Sequence, residues 1–79
     1  MTKIDFKQWQ ISDIKNYQEI MPNVWRAPDL EIAIQQIERI NYYYVEPLAK
    51  YLRRVWFKQG LIVKADNRRT YWRFTEKSK

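Results

Sequence analysis

The chain contains no cysteine and no histidine. Without cysteine there is neither a disulfide framework nor a thiolate metal site. Without histidine the commonest general base and the commonest zinc ligand are both missing. The chain has only one glycine and three prolines, which leaves no glycine-rich phosphate loop and little room for long flexible connections. No apolar run approaches the roughly 18 residues that a membrane span needs. Met1-Thr2-Lys3-Ile4-Asp5 lacks the apolar stretch of a signal peptide. The expectation is a cytoplasmic protein without a membrane partner. The nine carboxylates are scattered, and Ser12, Thr70, Thr75 and Ser78 have no histidine to activate them. The sequence therefore predicts no enzyme, no cofactor and no metal.

Aromatic residues are abundant: 4 Trp, 6 Tyr and 3 Phe in 79 residues. A domain of this size buries only about 60% of its unfolded surface. Large rings, each able to bury on the order of 150–250 Å², are an efficient way to build its core. One domain over 1–79 is expected, with an N-terminal arm at 1–11, a core at 12–76 and a basic tail at 77–79.

Charge is unevenly distributed. Residues 1–40 hold 5 basic and 6 acidic side chains, a net of −1; residues 41–79 hold 10 basic and 3 acidic, a net of +7. One half of a small domain is strongly cationic, which favours polyanions and speeds their encounter.

Local patterns divide the chain. Ile4 and Phe6 alternate with charged residues and suggest a short extended arm or edge strand. Ser12 is placed to cap a first helix over 12–21, with Ile14, Tyr17 and Met21 at helical spacing and Pro22 as its stop. Val24-Trp25-Arg26, bracketed by Pro22 and Pro28, reads as a short strand. Leu30, Ala33, Ile34, Ile37 and Ile40 form the apolar stripe of a second helix over 29–40. Glu46 and Pro47 open a third helix over 46–59, and Gly60 ends it. Residues 61–65 and 70–75 are rich in β-branched and aromatic types, with a turn at 66–69, and predict a hairpin.

The third helix carries two stripes. Leu48, Tyr51, Leu52, Val55 and Trp56 make a face to be buried. Lys50, Arg53, Arg54 and Lys58 make a cationic one, with Phe57 among them, expected to turn into the core at the helix end or else to touch a thymine methyl or a sugar. Like charges on adjacent turns repel by a few tenths of a kcal/mol per pair, so a helix that keeps them suits an anionic partner. The B-DNA major groove admits one helix, and arginine is its usual reader of guanine. The hairpin repeats the pattern with Lys64, Arg68, Arg69 and Arg73, and paired arginines at a tip suit a phosphate backbone or a minor groove.

The segment from Leu48 to Val63, followed by Arg69-Thr70-Tyr71-Trp72-Arg73-Phe74-Thr75, resembles the winged-helix family of DNA-binding domains over roughly residues 12–76. The resemblance implies an α+β fold: three helices in a winged helix-turn-helix, with a C-terminal β-hairpin as the wing. The third helix would then be the recognition helix, Lys50, Arg53 and Arg54 would contact the groove, and Arg68 and Arg69 would form the wing. Val24-Trp25-Arg26 would pair with residues 70–75. Two features depart from the family: three tyrosines fill the turn before the third helix, and Pro47 sits at that helix's start.

Tyr42, Tyr43 and Tyr44 are candidates for base stacking or for a partner interface. Three kinds of function fit these patterns. The first is duplex-DNA binding by a regulator or replication accessory. The second is a small adaptor or inhibitor of phage or plasmid type that grips an acidic protein. The third is single-stranded DNA or RNA binding. A homodimer is a further expectation, with Phe6, Trp9 and the tyrosine run as its candidate surfaces.

Overall fold

Proline placement and short aromatic strands set the element order seen in the computed structural model, which describes residues 4–65 and 71–78. Helix α1 spans Ile14–Ile20, strand β1 Val24–Arg26, helix α2 Ala27–Glu38 and helix α3 Val45–Lys58. Strands β2 (Ile62–Lys64) and β3 (Tyr71–Phe74) follow, and single 3₁₀ turns lie at Phe6–Gln8, Tyr42–Tyr44 and Glu76–Ser78. Among the described residues the sheet has the order β1-β3-β2 and is antiparallel throughout. The fold is α+β, with the hairpin after the third helix, compatible with a winged-helix layout. No helix among the described residues is long and apolar enough to cross a membrane.

β1 pairs with β3 as the resemblance implied, Trp25 lying opposite Trp72. α2 starts earlier than expected. Pro28 falls in its first turn, where a missing N–H costs nothing, and the Asp29 carboxylate accepts the Arg26 N–H at 2.9 Å. α2 ends at Arg39, which takes the left-handed conformation at φ 52° that glycine more often supplies there. Gly60 serves that purpose after α3, at φ 77°.

The core gathers Tyr17, Trp25, Leu30, Ile34, Val45, Leu48, Leu52, Trp56, Ile62 and Phe74. On α3 the buried stripe is completed by Val45 and Ala49, while Tyr51 and Val55 are only half-buried.

Three expectations are corrected at the N-terminal arm and at the first helix. The arm is not a strand, because Phe6 is the buried residue of a 3₁₀ turn. The Asp5 carboxylate nucleates that turn by accepting the Lys7 N–H, and the Phe6 ring packs on Trp9 at 4.9 Å and on Tyr51 at 5.3 Å. Phe6 is thus inside the fold, not on a dimer surface. Asp13, not Ser12, caps α1 by accepting the Lys15 N–H. Near the C-terminus Ser78 is buried, and Gln18 Nε2 donates to its hydroxyl at 2.6 Å.

Ser12 has a different role. Its N–H and hydroxyl donate to the Glu38 carboxylate, which also accepts the Tyr17 hydroxyl. This cluster ties α1 to the end of α2. Tyr17 is fully buried, and burial, followed by the hydrogen bond to Glu38 and its charge, pushes the phenol well above its usual pKa of 10.0. In the unfolded chain that phenol ionises above pH 10, whereas in the fold it keeps its proton. Stability is therefore complete below pH 10 and falls above it, by about 1.4 kcal/mol per pH unit from this group. Urea titrations between pH 9 and 11.5 should show Tyr17→Phe to be less stable near neutrality but with a shallower alkaline decline. Parallel declines would contradict the assignment.

Candidate nucleic-acid interface

The exposed side of α3 faces a groove rather than a bare helix surface. Lys50, Arg53, Arg54, Phe57 and Lys58 line it together with Trp72 of β3, around a depression of about 410 Å³. The periodicity that buries Val45, Leu48, Leu52 and Trp56 turns residues 50, 53, 54, 57 and 58 outward at about 100° per residue. The indole of Trp72 comes in from the sheet. It stacks on Trp25 at 6.3 Å and meets the Phe57 ring edge-to-face at 5.7 Å.

Phe57 is therefore not a core residue; it is 44% exposed. Trp56 takes the core position beside it, packing against Tyr17 and Phe74. Phe57 is left as the floor of the groove, with cations around it.

The four cations differ in their local partners. Lys50 Nζ lies 3.3 Å from the Glu46 carboxylate, both largely exposed, a pair worth little in water. Arg53 is half-buried, and its Nε–H donates to the Ala49 carbonyl at 3.4 Å, which anchors the stem of the side chain. The Arg54 guanidinium sits over the Tyr51 ring at 5.9 Å. Lys58 is exposed at the last turn. Among the described residues, Glu46 makes the one carboxylate ion pair with these groups, so the stripe stays cationic.

A second depression, of about 760 Å³, adjoins the first through Lys50 and Arg54 and is lined by Asp5, Phe6, Lys7, Pro47 and Tyr51. It brings Lys7 beside the stripe, a placement that no spacing in the sequence signalled. Trp72 also escaped identification as a site residue, because it lies 15 positions from Phe57 across a helix–strand junction and only the hairpin pattern offered a clue.

The hairpin cations separate. Paired residues on neighbouring strands share a sheet face, and successive residues alternate. Lys64 is opposite Trp72, so it shares the face of the groove, whereas Arg73 is opposite Val63 and Val24 and points to the other side. Arg73 therefore does not share the face of the α3 stripe. Arg68, Arg69 and the hairpin tip lie outside the described residues.

The tyrosine run makes a 3₁₀ turn, held by the Asn41 carboxamide oxygen accepting the Tyr43 N–H at 2.8 Å, and leads directly into α3. Tyr44 is half-buried and packs on Trp9 at 5.4 Å. Tyr42 and Tyr43 are 74% and 69% exposed. They lie at the far end of α3 from Phe57 and do not line the groove. Among the described residues there is no group of three or more acidic side chains placed to hold a metal. In comparisons with known proteins, no family model, no curated protein and no solved structure matches the chain.

Proposed function

We propose that the protein binds duplex DNA through α3, as a regulator or replication accessory with a winged-helix mode of docking. One observation carries this proposal: Lys50, Arg53, Arg54 and Lys58 converge on one face of a single helix, around a groove whose floor is Phe57 and Trp72. Exposed cations on a helix of this length suit the phosphates that flank a major groove. The aromatic floor suits the apolar sugar and thymine-methyl surface between them. Lys64 extends the same face along the hairpin.

The test is binding to labelled duplexes of random sequence between 50 and 200 mM salt. Each phosphate neutralised contributes about −0.9 to the slope of log K against log salt. Contacts from the four α3 cations alone give a slope of about −3.6, and Lys64 makes it steeper. Affinity that does not change with salt would end the proposal.

A second possibility is an acidic protein partner, favoured by the exposed Phe57 and half-buried Trp72, since protein interfaces centre on buried aromatic anchors within a charged rim. Such a partner would bind tightly and stoichiometrically, and random duplex would bind weakly even at 50 mM salt.

A further inference from the structure

The register of the sheet sends a second set of cations away from the groove. Trp25, Trp72, Phe74 and Ile62 face the helices and the core. The residues that alternate with them, Val24, Arg26, Tyr71, Arg73 and Val63, form the outer face. Arg26 and Arg73 lie on adjacent strands, one residue pair apart on the same face, a diagonal spacing of roughly 7–8 Å.

Both arginines are exposed. The Arg26 guanidinium lies over the Tyr71 ring at 5.6 Å, a contact that holds it against the sheet. The nearby carboxylate of Asp29 is engaged by the Arg26 backbone N–H. Neither guanidinium forms an ion pair among the described residues. Val24, 45% exposed, and Val63 leave the rest of the face without negative charge.

From this arrangement we infer that the outer sheet face is a second phosphate-backbone site, and that one copy of the chain holds two DNA duplexes at once. The inference rests on the proposal that α3 binds duplex DNA. The two cationic surfaces leave opposite faces of the sheet, on a molecule only 34 × 24 × 21 Å. Duplex DNA has a persistence length of about 50 nm and cannot fold back around so small a body to meet both. A second, separate duplex segment can.

The experiment uses one short duplex fixed to beads and a second, fluorescent duplex free in solution, with the full chain added at low salt. The protein's mass is followed in parallel by sedimentation. The wild-type chain is expected to capture the fixed duplex and to recruit the fluorescent one while sedimenting as a monomer. Arg26→Ala with Arg73→Ala should still be captured by the fixed duplex but recruit no second one. Arg26→Lys with Arg73→Lys, which keeps the charge, should restore recruitment. The salt slope of the recruitment step should reflect about two phosphates, near −1.8.

Recruitment that persists in the double alanine variant would overturn the inference, since bridging would then come from self-association. Capture of the fixed duplex without recruitment by the wild type would also overturn it and leave the α3 proposal intact. Failure to capture any duplex would overturn both.

Discussion

Replacing Lys50, Arg54 and Lys58 together by alanine is expected to lower duplex affinity at 0.1 M salt on the order of a thousandfold. Each lost phosphate contact removes about 0.9 from the salt slope, which at that concentration is nearly a factor of ten in binding. Three contacts correspond to roughly 4 kcal/mol. The slope itself should fall by about 2.7, and this separates a loss of phosphate contacts from a general weakening. The fold should hardly notice. All three side chains are exposed, the Lys50–Glu46 pair is too solvated to matter much, and removing like charges from adjacent turns relieves a comparable repulsion. Arg53 is left in place because its stem is half-buried and bonded to its own helix, so its removal would mix packing with charge. If affinity falls with the slope unchanged, the three residues do not meet phosphates. If the melting temperature drops by many degrees, they are not the exposed face.

How much of this surface could be read in advance depended on whether the information was local. The cationic stripe follows from spacing along one helix, and Lys50, Arg54 and Lys58 are exposed as that spacing required. Strand β1 was legible because two prolines leave no room for anything but a short extended piece. Phe57 was misread although its spacing places it on the cationic stripe, because an aromatic side chain at a helix end suggests burial, and its partner Trp72 lies on another element. Phe6 was hidden because two alternating residues imitate a strand, whereas the Asp5 carboxylate sets a turn. The division of Lys64 from Arg73 needed the strand register, since a shift of one residue exchanges the faces. The Ser12–Tyr17–Glu38 cluster spans 26 positions and carries no local signature at all.

The groove also depends on a residue that never reaches the surface. Trp25 is fully buried in the centre of β1. It stacks on Trp72 and packs against Phe74 at 5.6 Å, so it supports the indole that floors the groove. Trp25→Ala should cost about 3–5 kcal/mol through lost burial and the cavity left behind. A domain of this size has on the order of 4–12 kcal/mol in total, so the variant should be largely unfolded or close to it. Urea titration followed by far-ultraviolet circular dichroism would show the midpoint moving down with little change in slope. Trp25→Phe makes the sharper comparison. Among the described residues the buried indole Nε1–H has no hydrogen-bond partner, and an orphaned donor costs about 1–3 kcal/mol. Phenylalanine removes that donor while keeping most of the ring, so the relief offsets much of the lost volume and the net cost should stay below about 2 kcal/mol. Duplex binding should then survive in Trp25→Phe, because Trp72 keeps an aromatic support. If Trp25→Phe proves as damaging as Trp25→Ala, the indole N–H is satisfied, and its hydrogen bond is what positions the sheet against α3.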